Sequence, residues 1–342
     1  MILVINPGSS SLKYRLLDLE LSEVKSGKFS AKGGPASGWN ASRGNIEKEI
    51  DEILKDIGTS RDEITKVGYR VVHGGDEANE IMPVTLPVMK IIEKYSELAP
   101  HHNPAAIFAI RTLIEKLPQA QHFAAFDTAF FKDLPVVAKT YAINQAIADE
   151  YNIRRFGFHG ISHSWMLEHV DSAEEKKVIT IHLGAGSSAA AIDHGKPIDT
   201  SMGFTPIEGL PMQTRSGDID PEIVLFLADK IGNKKTREMI ENGSGLAGIS
   251  GTSGDMLELL ERDDEMSKLA IDVFCYHAKK YIGAYAAALG GVDTVVFSGE
   301  IGFGSGLIRS KITKDLEYLD FETKYIKSEE ELAIAKKLIS QV

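Results

Sequence analysis

Apolar positions along the chain follow two different periods, and the change from one to the other marks out the elements. Ile2-Leu3-Val4-Ile5 is an apolar, β-branched run; after Asn6-Pro7-Gly8-Ser9-Ser10-Ser11 the chain resumes at residues 12–18 with rough period-two alternation. That pattern predicts strand, glycine-serine turn, strand. It returns at residues 178–183, followed by Gly184-Ala185-Gly186-Ser187-Ser188 and a second run at 189–192, with Asp193-His194-Gly195-Lys196 as a hairpin turn. Two similar hairpins about half a chain apart predict a duplicated domain. A third strand-like run, 292–298, enters another glycine-rich stretch, Gly299-Glu300-Ile301-Gly302-Phe303-Gly304-Ser305-Gly306.

Between these runs the period lengthens to that of helices. Residues 47–57, 104–117 with proline in the first turn, and 265–289 stopped by Gly290-Gly291 are the clearest. Near the end, Ser328 and Glu331 have the spacing of a capping box, which starts a final helix there. Strands alternating with helices predict α/β architecture. The position of the second hairpin puts the domain boundary near residue 127.

Composition narrows the function. The 342 residues carry 38 Lys+Arg against 49 Asp+Glu, a net charge of −11. Nucleic-acid binding needs clustered cations and is excluded on this balance. The single cysteine, Cys275, leaves no intrachain disulfide or thiolate zinc site, sits on an apolar helical pattern, and fits a reducing cytoplasm. No basic leader precedes Ile2, and no apolar run approaches the ~18 residues of a membrane span. The expectation is a cytoplasmic protein that binds neither membrane nor nucleic acid, with any anionic ligand held locally.

Gly184-Ala185-Gly186-Ser187-Ser188-Ala189 matches GxGxxA, but a short strand and turn follow where a dinucleotide site needs a helix, and no GxxxxGK[ST] loop is present. A glycine-serine hairpin instead presents backbone N–H groups and hydroxyls to phosphate; its bland alternative is a tight turn. Arg70, in an apolar run leading to Gly74-Gly75, and Arg215, in Thr214-Arg215-Ser216-Gly217-Asp218, offer forks for carboxylate or phosphate, against a buried ion pair and a turn salt bridge as alternatives. Asp127 ends an apolar strand run, where α/β enzymes place ligands, although it equally suits an N-cap. Glu330 falls where acidic residues complement a helix dipole. His159 and His163 are spaced His-x₃-His, but the intervening glycine argues against a zinc helix; His159 beside glycine and aromatics suits hydrogen bonding to developing charge, or packing.

In this order the motifs resemble the acetate kinase family, the acetate and propionate kinases of the actin, sugar kinase and Hsp70 superfamily. Val4-Ile5-Asn6-Pro7-Gly8-Ser9-Ser10-Ser11-Leu12-Lys13-Tyr14, Arg70-Val71-Val72-His73-Gly74-Gly75, His101-His102-Asn103-Pro104, Phe126-Asp127-Thr128-Ala129-Phe130, Phe156-Gly157-Phe158-His159-Gly160 and Thr214-Arg215-Ser216-Gly217-Asp218 carry the resemblance almost end to end. It implies two duplicated ribonuclease H-like lobes, 1–126 plus 330–342 and 127–329, and a homodimer. It also implies reversible phosphoryl transfer from ATP, with Mg²⁺, to a short carboxylate. By position, Arg70 and Arg215 would bind the carboxylate and the phosphoryl in flight, and His159 would hydrogen-bond the transferring group with His102 in the same site. Asn6, Ser9 and Ser11 would line the phosphate path. Asp127 and Glu330, with Asn6, would serve Mg²⁺ or orient the substrate, and Val72, Phe158 and Pro206 would form the acyl pocket.

Lys13, His182, Gly184, Gly186, Asp255, Glu300 and Gly302 would fall to the phosphates or nucleotide. Departures from the family pattern cluster here. Glu300-Ile301-Gly302-Phe303-Gly304 replaces Gly-Ile-Gly-Glu-Asn, Asp255-Met256-Leu257 replaces Asp-Phe-Arg, and Gly184-Ala185-Gly186 replaces Gly-Asn-Gly. Glu300 adds bulk and negative charge beside anionic phosphates, where a like-charge contact at 4 Å costs about 1 kcal/mol even in water. His101, where the family usually has leucine, predicts a smaller or more polar acyl pocket. ATP/ADP is the family's co-substrate; pyrophosphate or another non-adenosine donor is the alternative, and a non-catalytic metabolite sensor the competing class.

Overall fold

The computed structural model describes residues 1–8, 11–30 and 43–341. Ser9 lies outside the described residues. The chain divides into two compact units, Met1–Lys132 with Phe158–Ile161 and Glu329–Val342, and Asp133–Gly157 with Ser162–Ser328. The divisions therefore fall at 132/133 and 328/329 rather than 126/127 and 329/330, and the first unit also takes back residues 158–161.

In the first unit β1 (Ile2–Pro7) runs antiparallel to β2 (Ser11–Leu17), which pairs with β3 (Glu23–Ser30). On its other side β1 is parallel to β4 (Lys66–Val71). The short β5 (Ile81–Pro83) runs antiparallel to β6 (Gln121–Phe126), which is parallel to β4, so the sheet order is β3-β2-β1-β4-β6-β5. Every residue of β1 is buried, as a strand covered on both faces requires. Leu3 and Ile5 join Val67, Tyr69, Ile110 and Leu113 in one core.

The second unit repeats this plan. β7 (Lys177–Leu183), β8 (Ser187–Asp193) and β9 (Lys196–Thr200) form the antiparallel meander, and β10 (Thr294–Ser298) and β11 (Glu322–Tyr325) add in parallel, in the order β11-β10-β7-β8-β9. β7 takes the place of β1, and the two predicted hairpins are the equivalent elements of a duplicated fold.

The 25-residue helix Glu265–Leu289 forms where the pattern placed it. Asp264 caps it by accepting from Ser267 N, and Gly290 ends it at φ 68°, a left-handed conformation that glycine adopts without strain. Cys275 packs into the second core, where burial raises its thiol pKa to about 11. The final helix differs from the prediction. It runs Glu330–Ile339 with Glu329 at the N-cap and no side-chain capping bond, so there is no Ser328/Glu331 capping box. The Glu331 carboxylate is drawn instead to Asn6 Nδ2, 2.6 Å away. No helix among the described residues is long and apolar enough to cross a membrane.

Candidate active site

In the first unit three neighbouring parallel strands, β1, β4 and β6, end at one edge, where α/β sheets hold ligands. Asn6 stands near the end of β1, Arg70 near the end of β4, and Asp127 directly after β6. The closing helix adds Glu330. Arg70 donates to Asp127 Oδ2 through Nε (3.1 Å) and Nη2 (2.7 Å), and through Nη1 to Glu330 Oε2 (2.9 Å) and Asn6 Oδ1 (3.3 Å). Asn6 Nδ2 completes the ring by donating to Glu330 Oε2 at 3.0 Å.

Asp127 heads a 3-10 turn, Asp127–Phe131, yet its side chain makes no capping bond; the N-cap alternative does not hold. Its carboxyl is 1% exposed. Burial raises its pKa to about 6, Arg70 pulls it down, and Glu330 pushes it up. Burial by itself would lower the Arg70 pKa, but the charges of Asp127 and Glu330 overcome that and raise it. One guanidinium thus faces Asp127, Glu330 and, more distantly, Glu331. Among the described residues Asp127 Oδ1 is buried and meets no group at hydrogen-bond geometry, although the Ile161 backbone also favours its anion.

That donor set suits a Mg²⁺ ion of the kind shared with phosphates, which takes one or two carboxylates and keeps its remaining positions for water and substrate oxygens. Among the described residues no three His, Cys, Asp or Glu side chains form a closed metal cage.

The segment bearing His159 lies against this corner. Gly160 must be glycine, because a Cβ there would stand 2.0 Å from the Asp127 backbone oxygen. His159 adopts φ 58°, an uncommon conformation for a non-glycine residue, at the entry to the helix Gly160–Leu167. Phe158 is fully buried with its ring edge on His73, at 5.2 Å between centroids, and His73 stacks on Tyr95 at 4.6 Å. Asn103 ties His73 in place, accepting from its N–H (3.1 Å) and donating to its carbonyl (2.9 Å). Val72 and His102 are the residues that precede this bonded pair in the chain. His102 is half-buried at the start of the helix Asn103–Lys116, while His101 is exposed. On β2, Ser11 is buried and its carbonyl accepts from Gly8 N, while Lys13 is half-buried opposite Asn6.

The second unit carries Arg215 on a tightly bonded loop. Met212 N donates to Arg215 O (3.1 Å); Asp218 accepts from Gly209 N (2.9 Å) and from Tyr281 Oη (2.7 Å). The half-buried guanidinium donates to Pro206 O at 3.1 Å and approaches Met212 Sδ at 3.6 Å. Among the described residues no carboxylate stands within ion-pairing distance of it. Burial accordingly lowers its pKa, with the Glu241 charge opposing. A desolvated guanidinium held by a carbonyl and lacking a counter-ion is a site for an anion.

Gln213, two residues before Arg215, donates its N–H to Ala185 O and so fastens the loop to the glycine turn, which Gly184 N closes on Gly186 O. Gly299, at φ 82°, packs so closely that a Cβ would lie 2.3 Å from Leu183 O, and Gly302 follows beside the same strand end. Arg215, the 184–186 turn and the 299–302 turn therefore belong to one corner of this unit. Asp255 Oδ1 caps the helix Met256–Glu261 by accepting from Leu257 N and Glu258 N. Glu300, Leu257 and Phe303 are exposed.

Sequence reasoning missed several members. His73, Tyr95 and Asn103 act through packing across elements, and Glu331 through a contact with a residue 325 positions away. Ser162 carries no local pattern that marks it out; its hydrogen bond to His182 needed the helix to be laid on β7.

Residues 1–341 match the model of the acetokinase family. An acetate kinase of Desulforamulus reducens is 41% identical over 348 residues, covering 93% of this chain and 88% of the relative. One from Thermotoga maritima is 39% identical over 369 residues, covering 99% and 92%. Among solved structures, Porphyromonas gingivalis acetate kinase superposes with a TM-score of 0.86 at 32% identity, and a Francisella tularensis propionate kinase with 0.86 at 30%, each covering 98% of both chains. The fold and these relatives define a phosphotransferase, a kinase whose acceptor is a carboxyl group. Within that class, the chain belongs to the acetokinase family.

Proposed function

We propose that the chain transfers the γ-phosphoryl group of ATP reversibly to the carboxylate of acetate or a similarly short acid, giving an acyl phosphate and ADP. The observation that carries this reading is the contrast between the two arginines. Arg70 is clamped by carboxylates, whereas Arg215 is half-buried and, among the described residues, has no carboxylate at ion-pairing distance and bonds a carbonyl and a thioether. A permanent anion partner is thus designed out at Arg215, which leaves its charge for a substrate.

One oxygen of the acceptor carboxylate attacks the γ-phosphorus as the bond to the β,γ-bridging oxygen breaks, so no protein nucleophile is needed. Catalysis is positioning and neutralisation of charge on the transferring group. Arg215 offers its fork to that group, and His159, fixed by its strained backbone, offers an imidazole N–H. Val72 and Phe158 exclude water around a short acyl chain. Asp127, with Glu330 and Asn6 behind it, would hold Mg²⁺, which when bound neutralises phosphate charge. Arg70 holds Asp127 and Glu330 apart and oriented.

Glu300 favours a second reading for the donor. Its backbone N lies 3.9 Å from where a Gly184 Cβ would be, so the residue starts from beside the glycine turn. A small donor such as pyrophosphate would meet less obstruction there than a nucleoside. Steady-state assays with ATP, GTP and pyrophosphate against acetate, propionate and butyrate separate the two. Efficient turnover with ATP supports the first reading; turnover confined to pyrophosphate supports the second.

The chain is also proposed to pair as a homodimer in the cytoplasm. No residue of the helix Pro221–Ile231 is buried, and it exposes Ile223, Leu225, Phe226 and Ile231 together.

A further inference from the structure

The corner of the second unit that holds the glycine turn has a polar layer beneath it whose purpose packing does not account for. Ser162 lies in the helix Gly160–Leu167 and is 1% exposed. Its hydroxyl makes one hydrogen bond, at 2.8 Å, to Nδ1 of His182. Next to it, His163 is fully buried and uses both ring nitrogens, Nδ1 with Thr180 Oγ1 (2.7 Å) and Nε2 with Ser188 Oγ (2.8 Å). Thr180 and His182 share one face of β7 by strand alternation, and Ser188 is the register partner of His182 on β8. Two consecutive helix residues thus grip His182 and its immediate neighbours from behind. The other end of the half-buried imidazole lies beside the glycine turn: a Cβ on Gly184 would sit 3.6 Å from His182 Nε2.

The direction of the Ser162–His182 bond follows from proton accounting. A buried hydroxyl must place its proton on an acceptor, whereas an unfilled lone pair on its oxygen costs less. Among the described residues His182 Nδ1 is the one partner Ser162 Oγ has, so the hydroxyl donates and Nδ1 accepts. A neutral imidazole that accepts at Nδ1 carries its proton at Nε2. We propose that Ser162 is a positioning residue for phosphoryl transfer: by donating to Nδ1 it holds His182 in the Nε2–H tautomer, so that a fixed N–H donor faces the Gly184–Gly186 turn and the phosphate bound there. The proposal rests on the reading that this turn receives the phosphoryl donor.

The test uses protein labelled with ¹⁵N-histidine, the His182 resonance being assigned by its loss in His182→Asn, and kinetics with MgATP as the varied substrate at saturating acetate. In the unaltered protein the long-range ¹H–¹⁵N correlation shows His182 as the Nε2–H tautomer. Ser162→Ala mixes the tautomers and raises KM for MgATP about fivefold or more, with KM for acetate unchanged; Ser162→Thr, which keeps the hydroxyl, restores both. His182→Asn raises KM for MgATP further. A wild-type tautomer and KM in Ser162→Ala, beside impaired His182→Asn, overturn the role of Ser162 while leaving the donor reading intact. Wild-type KM for MgATP in His182→Asn overturns the donor reading and the proposal with it.

Discussion

Arg70 and Arg215 carry the same guanidinium into opposite surroundings, and their replacements separate structure from chemistry. Removing Arg70 leaves Asp127 and Glu330 buried without their counter-charge, a loss of the kind that costs about 3–5 kcal/mol. Arg70→Ala therefore lowers both thermal stability and activity. Arg215→Ala removes a half-buried, desolvated charge that has no carboxylate partner among the described residues, so the unfolding temperature stays the same or rises while kcat/KM falls about 10³-fold or more. Parallel melting curves and acyl phosphate assays check this; equal destabilisation by both substitutions would count against it. At this scale the sequence exposed which residue types recur in the right order, but offered a bland role for each. For Arg70 the bland role, an ion pair, and the site role are one and the same contact. For Asp127 the bland role failed, because its carboxylate turned toward Arg70 instead of the turn behind it.

Among elements, local signals were the legible ones. The helix Glu265–Leu289 carries its own start and stop in Asp264 and Gly290, and both hairpins announce their glycine turns. The closing helix was misjudged at its first turn because Glu331 answers to Asn6, a partner no local spacing reveals. The helix Gly160–Leu167 against β7 is likewise a long-range arrangement, and it makes a pH prediction. Burial lowers the His163 pKa to about 3, with the His182 charge adding to the effect, so the folded chain keeps it neutral. In the unfolded chain it titrates near ~6.5. Between those values the unfolded state binds more protons, so this contribution to stability is fully present above about pH 6.5 and is lost as pH falls toward 3, at about 1.4 kcal/mol per unit. Urea titrations at pH 7 and pH 5 should show wild type losing about 2 kcal/mol more than His163→Asn over that interval. Equal losses would mean that His163 is protonated in the fold.

The whole molecule is one strand plan used twice, with β1 and β7 as equivalent central strands. That duplication was readable because each copy begins with the same hairpin; the return of residues 158–161 to the first unit was not, since it depends on Gly160 closing against Asp127. Association is tested at this scale. Light scattering should give twice the 37.3 kDa chain mass for the protein and the chain mass itself for Phe226→Glu, whose new charge would lie in the apolar patch of the helix Pro221–Ile231. A wild-type monomer would refute the pairing. The central claim is phosphoryl transfer to a carboxylate, and the most direct measurement traps the product. Purified protein with MgATP, acetate and hydroxylamine should form acetyl hydroxamate, and folded Arg215→Ala should form none above background. Absence of hydroxamate from the folded wild-type protein, with every short carboxylate and with both ATP and pyrophosphate as donors, would contradict the account.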